Sequence, residues 1–210
     1  MKNPATEIID RIGHPVTLVP IPKGEKGPKL AGWQKLTIKD MTPAYLSQFN
    51  TNMNIGVVLG SASGGLVSID ADTDEGFKEF MALNPSLSAT QVTKGSLGGN
   101  FWFNAVGTYP KSVKIKCSNG SAWGEFRADG NQTVIYGQHP TGVQYWNNGN
   151  APLSLPLSAI NFPKGLILPW EQPAKEEQPA LPAKKETYSQ DRSSLITRAQ
   201  AYVDKMPPAI

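Results

Sequence analysis

Asp70-Ala71-Asp72 closes the apolar run GLVSID, and these two carboxylates are the side chains of the sequence best spaced to do chemistry together. In an extended strand, residues two apart point to the same side, with Cα atoms about 6–7 Å apart. That spacing suits one or two Mg²⁺ or Mn²⁺ ions, hard cations that take carboxylate oxygens and the phosphates of a substrate. The same pattern also describes a strand-to-helix turn with solvated acids and a helix cap, and an isolated DxD reads more often that way. Glu125 lies in a second apolar-flanked strand, GEFRA, with Arg127 two residues on and therefore on the same face. The pair reads either as a plain salt bridge, or as a third carboxylate beside a guanidinium that grips a phosphate bidentately.

Three further features carry weaker signals. TKGSLGGNFWF (93–103) sets a Ser/Gly loop before an aromatic strand. Its glycines let backbone N–H groups approach phosphate oxygens, but it lacks a Walker or dinucleotide pattern and also reads as a hairpin turn. His139, in GQHPTG, is a lone histidine before a Tyr/Trp strand, catalytic or merely structural. Phe101, Trp102, Phe103, Tyr145 and Trp146 offer rings on which bases stack, although alternating aromatics in strands are more often core. Cys117 is the single cysteine and reads as inert.

The elements that must position these groups follow from pattern. The chain has 210 residues, 39% hydrophobic and 18% charged, so it can bury a core. One cysteine and two histidines exclude a disulfide framework and a structural zinc site. No apolar run approaches the roughly 20 residues of a membrane helix, and the N-terminus lacks a signal peptide's apolar core; the expected location is cytoplasmic, with no membrane partner. The net charge of +3 is mild, but residues 51–100 carry two Lys/Arg against five Asp/Glu between basic flanks, as suits a metal-bearing site with a basic approach for a polyanion. Asn3-Pro4 predicts a helix start and Gly13 its end; Thr42-Pro43 repeats the opening. VTLVPIP predicts a strand ending at Pro20. NIGVVLG and GLVSID, separated by SASG, predict a tight hairpin, followed by a helix over 74–83. Further strands are expected at 89–92, 100–104, 112–115, 124–128, 133–136 and 144–146. Residues 172–190 read as a proline-rich charged linker, and 193–205 as a single amphipathic helix. The fold class is α+β (mixed α/β).

The order of these motifs resembles the bifunctional DNA primase/polymerase (prim-pol) domain of the archaeo-eukaryotic primase superfamily, common in phages and mobile elements. The resemblance runs over residues 10–170 and rests on KGPKLAGW, NIGVVLG, GLVSIDAD, TKGSLGGNFWF, EFRADGNQTV and HPTGVQYW. It implies a small N-terminal α/β module joined to an RRM-like module, with the active site between them. By the same resemblance Asp70, Asp72 and Glu125 are the metal ligands and catalytic acids. Lys94, Ser96, Asn100, Arg127 and His139 are implied contacts to the incoming nucleotide. Asn100 stands where family members usually carry histidine; it can donate a hydrogen bond to phosphate but carries no proton or charge near neutral pH. RAQAYVDKMPPAI resembles the opening of the helical module that follows such domains in primase–helicases. The organisation expected is therefore a catalytic domain over 1–171, a linker over 172–190, and over 191–210 the start of a module truncated here.

The implied reaction is template-directed nucleotidyl transfer with two divalent ions, Mg²⁺ or Mn²⁺, on single-stranded DNA template, primer and dNTP or NTP, with a helicase in the same polypeptide. Lys26, Lys29, Lys114 and Lys116 are candidate template-backbone contacts or ordinary solvated lysines. The rival is a catalytically weakened module that binds single-stranded DNA or nucleotide and recruits a downstream helicase; a two-metal nuclease is a third reading.

Overall fold

Asn3 accepts a hydrogen bond from the Ala5 amide at 2.8 Å, Pro4 fills the first turn, and Gly13 at φ 82° closes the helix α1 (Pro4–Ile12). The sequence signals act here as expected, and the cap also ties the helix elsewhere, since Asn3 Nδ2 donates to Leu46 O at 3.0 Å. The computed structural model describes residues 3–171; the expected linker and C-terminal helix lie outside the described residues. Two more helices are α2 (Pro43–Leu46) and α3 (Asp74–Leu83), the latter with the expected bounds and capped by Thr73. No helix among the described residues is long and apolar enough to cross a membrane.

The strands are β1 (Thr17–Pro22), β2 (Met53–Val58), β3 (Leu66–Ala71), β4 (Val92–Lys94), β5 (Gly99–Ala105), β6 (Val113–Cys117), β7 (Ala122–Arg127), β8 (Gln132–Tyr136), β9 (Trp146–Asn147), β10 (Leu153–Leu155) and β11 (Leu166–Ile167). They form a three-stranded sheet, β1-β2-β8, and an eight-stranded one, β11-β6-β7-β3-β5-β4-β9 with β10 beside β5. The architecture is the α+β class the patterning indicates. The smaller sheet is not wholly N-terminal, because β8 reaches back to complete it.

Two local readings need correction. NIGVVLG and GLVSID do not form a hairpin: β2 pairs with β1 and β8, while β3 pairs with β5 and β7. The SASG segment is a 3-10 turn that carries the chain from one sheet to the other, held by Asp129, whose Oδ1 accepts from Ser61 N at 2.8 Å and Ser61 Oγ at 2.6 Å. The strand expected to end at Pro20 continues to Pro22, since its pairing with β2 runs through Pro22↔Met53.

Alternation along β3 explains how the layers stack. Val67, Ile69 and Ala71 face a core built with Phe80 of α3, Phe101, Phe103, Phe126 and the C-terminal segment. Leu66 turns the other way and joins Trp102, α1 and the three-stranded sheet in a second core containing Ile8, Leu18, Ile55 and Ile135. Ser68, two residues on, meets Thr133 of β8 hydroxyl to hydroxyl at 3.0 Å, so the two sheets touch through a buried polar pair. Asp70 is next on that face, where the sheets part.

Candidate active site

The register places Asp70 in the middle of a polar row. On one side it pairs with Asn100 of β5, on the other with Glu125 of β7, and Glu125 in turn pairs with Lys114 of β6. Side chains in register on neighbouring strands share a face, so these four belong to the face turned toward the smaller sheet. Two glycines make the approach close enough. A Cβ on Gly124 would collide with the backbone oxygen of Asp70, and one on Gly98, which sits at φ 60°, with that of Ala71. The Ser96–Leu97 loop is thereby pressed against the end of β3.

A cavity of about 370 Å³ opens there, between the sheets. From the larger sheet it is lined by Asp70, Asp72, Asn100, Arg127 and Ser96, and from the facing elements by Lys26, Thr133, His139 and Tyr145. Seven of the residues singled out from sequence thus converge on one space: Asp70, Asp72, Ser96, Asn100, Arg127, His139 and Lys26. Lys26, a candidate template-backbone contact by sequence, lines the cavity.

Arg127 dominates the electrostatics. Its Nη2 lies 2.6 Å from Asp70 Oδ2 and its Nε 2.9 Å from Glu125 Oε2, with all three side chains less than a quarter exposed. Burial opposes the guanidinium charge, but Asp70, Glu125 and Asp72 outweigh it and its pKa is raised. Burial pushes the Asp70 carboxyl up; Arg127 opposes the shift, and the like charges of Asp72 and Glu125 reinforce it. Tyr145 is pushed up to about 12, first by burial, and stays a phenol. Glu125 also accepts from Asn131 Nδ2 at 3.2 Å and is not among the residues lining the cavity. The salt-bridge and third-acid readings of GEFRA therefore meet: Glu125 stands beside Asp70 and is tied to Arg127.

Among the described residues no group of three or more His, Cys, Asp and Glu is gathered to hold a metal ion. Mg²⁺ does not need one, for it is usually held by one or two carboxylates with water and substrate phosphates rather than by an all-protein cage. Asp70 and exposed Asp72 offer two such carboxylates to the cavity, and Asn100, in register with Asp70, has a buried Oδ1 without a hydrogen-bond partner. This oxygen-rich donor set fits a hard divalent cation.

Several assignments do not come to the cavity. Lys94 lies on the opposite face of the sheet, because Thr93 is the β4 residue in register with Asn100. Its ammonium pairs with Asp74 at 3.2 Å and sits 4.4 Å over the Phe77 ring. Lys29 pairs with Glu25 at 2.8 Å with its side chain 70% exposed. Phe101, Trp102 and Phe103 are fully buried and stack no base. Lys114 and Lys116 are exposed and share the face of Glu125, beyond the cavity. Sequence reasoning missed Asn131, Gln132 and Thr133, whose only local sign was their place after Glu125-Phe-Arg127, and it saw in Tyr145 a stacking or core ring.

The model of one protein family, described as bifunctional DNA primase/polymerase, N-terminal, matches residues 5–158. No curated protein matches the chain.

Proposed function

The chain belongs to the bifunctional DNA primase/polymerase N-terminal family, and on that premise we propose that it catalyses template-directed nucleotidyl transfer at the cavity between its two sheets. The observation that carries this reading is the pair Asp70 and Asp72, set at the end of β3 with Arg127 beside them and open to a space whose facing wall brings Lys26 and His139. Carboxylates opposite cations are what a nucleoside triphosphate with its divalent counter-ion requires.

Asp70 and Asp72 would hold Mg²⁺ or Mn²⁺, with Glu125 beside them. When bound, such ions lower the pKa of the primer hydroxyl and offset charge on the departing pyrophosphate. The chain's own residues do the rest. Arg127 anchors the carboxylates and presents its remaining donors toward phosphate. Ser96 and the amides of its loop lie where phosphate oxygens would sit, and Lys26 adds a mobile charge at the opposite wall. Lys114 and Lys116 continue the same face of the sheet as a basic track for the template backbone, giving salt-dependent, sequence-independent affinity. The strand would be supplied by a helicase, in a phage or mobile-element replication protein in which residues 1–171 are the catalytic module, 172–190 a linker and 191–210 the start of a helical module. The family resemblance supports that setting.

Extension of a labelled primer on single-stranded DNA, with Mg²⁺ or Mn²⁺ and four dNTPs, tests the reading. Extension is expected from the unaltered chain and none from Asp72→Ala. Asn100→His measures what the asparagine costs. Silence of the unaltered chain and of Asn100→His, with DNA binding intact, would sink the polymerase reading and leave a strand-binding module that recruits a helicase. Shortening of the labelled strand would instead identify a nuclease.

A further inference from the structure

We infer that Thr141 is a positioning residue for His139, fixing the imidazole in the neutral tautomer that carries its proton on Nε2 and aims it at the cavity. Two contacts at Nδ1 carry the inference. The backbone N–H of Thr141 donates to His139 Nδ1 at 3.2 Å. An amide N–H can only donate, so Nδ1 must present its lone pair. Thr141 Oγ1 lies 2.8 Å from the same nitrogen, and against an unprotonated Nδ1 the hydroxyl also donates. The one proton of a neutral imidazole is then on Nε2, which faces Ser96 Oγ at 3.4 Å on the cavity wall.

The H-P-T-G turn has this geometry built into its sequence. Gly142 N donates to His139 O at 2.8 Å and His139 N to Val143 O at 2.7 Å, closing a tight loop. Pro140 has no N–H, so the first amide that can turn back on the ring is that of Thr141. The ring is confined as well. His139 is 8% exposed, its Cδ2 would lie 3.0 Å from a Cβ at Gly95, and Tyr145 stands edge-on at 5.8 Å and 71°. A flip of the ring would set Cδ2 in place of Nδ1 and give up both contacts to Thr141. Burial first, and then Lys26, hold the pKa of His139 below its ordinary value, which favours the neutral ring. With Nε2–H so held, His139 donates one directed hydrogen bond to an anionic oxygen of the nucleotide. This last step rests on the function proposed above; the tautomer does not.

The test reads the two separately. Long-range ¹H–¹⁵N NMR on the full chain with ¹⁵N-histidine, at neutral pH and without nucleotide or metal, reports the tautomer; Asp70 and Asp72 then stay as they are in the free protein. His14→Gln assigns the signals, since the chain has two histidines. The Nε2–H pattern is expected for His139 and again in Thr141→Ser; in Thr141→Val, which keeps the 3.2 Å amide contact but loses the shorter 2.8 Å hydroxyl contact, a measurable admixture of the Nδ1–H tautomer is expected. An Nδ1–H or doubly protonated ring in the unaltered chain overturns the inference, as does an unchanged tautomer in Thr141→Val. In primer extension, Thr141→Val should raise KM for the nucleotide about 3–10-fold, the worth of one ordinary hydrogen bond, with kcat changed less than about twofold. Thr141→Ser should recover it. A mixed tautomer with unmoved KM overturns the role toward substrate, whereas an unmoved KM in His139→Ala removes His139 from the nucleotide site and leaves the spectrum to judge the tautomer.

Discussion

The two faces of the eight-stranded sheet are built from alternate residues of the same strands, yet they solve burial in opposite ways. Toward α3, Val67, Ile69, Phe101, Phe103 and Phe126 pack among themselves with no polar atom to satisfy. Toward the smaller sheet, Ser68 is buried against Thr133, while Asp70, Glu125 and Arg127 are covered only in part and pair with one another beside Asn100. The first face stabilises the fold through area removed from water. The second contributes little to stability, since half-buried ion pairs roughly offset their own desolvation. What it supplies is a set of charges held in register by a backbone that the other face keeps rigid.

Substitutions on the two faces should therefore separate stability from activity. The largest effect is expected from Phe101→Ala, which hollows the apolar face and should cost about 3–5 kcal/mol in urea unfolding. A loss under about 1 kcal/mol would mean the aromatic core does not hold the sheet. Asp72→Ala should do the reverse. Primer extension should fall by about 10²-fold or more, as several kcal/mol of charge stabilisation disappear, while the melting temperature stays put because the Asp72 side chain is exposed. A drop in melting temperature with activity retained would erase the contrast.

A smaller effect is expected at the margin of the polar face. Replacing Lys114 and Lys116 together by alanine should flatten the dependence of log K for single-stranded DNA on log salt by about 1.4, two contacts at about 0.7 each. Lys29→Ala, paired to Glu25 at the surface, should leave that slope unchanged. The smallest concerns the crossing between sheets. Burial works against the Asp129 carboxylate, but Ser61 and Tyr109 donate to it and its pKa is lowered. A lowered pKa in the folded state stabilises at pH values above the ordinary carboxylate range and is lost as pH falls through the folded value. The melting temperature should thus decline in acid, below about pH 4, and less steeply in Asp129→Asn; equal slopes would show that the Ser61 contacts do not discriminate charge.

Much of the fold was legible because its signals are local. The Asn3-Pro4 and Gly13 caps and the apolar spacing of α3 act within a turn or two of chain, and each element formed where they stand. The β2–β3 connection was misread because SASG looks the same whether the next strand pairs with the previous one or leaves for another sheet; partners more than sixty residues away decide it. Lys94 was misplaced for a related reason. With the strand expected at 89–92, Lys94 fell in the loop; with β4 at Val92–Lys94, alternation turns Thr93 to the face of Asn100, where it meets Trp102, and Lys94 to α3. Asp70 and Asp72 were legible from spacing alone, but that Arg127 would close on Asp70 required the β3–β7 register, which no local pattern contains.

The chain crosses between its sheets three times, from β2 to β3, from β7 to β8 and from β8 back to β9. During synthesis, β1 and β2 emerge long before β8, so the smaller sheet remains a two-stranded ribbon until residue 136 has left the ribosome. Such a ribbon is marginal in water on its own, and its pairing with β8 spans too much chain to form early. The larger sheet, whose central β3, β5, β6 and β7 are all made before β8, is free to assemble first and to serve as the template on which the smaller one closes. The cavity is thus among the last parts of the molecule to come into existence, and a nascent chain stalled short of β8 would hold both aspartates but only one wall around them.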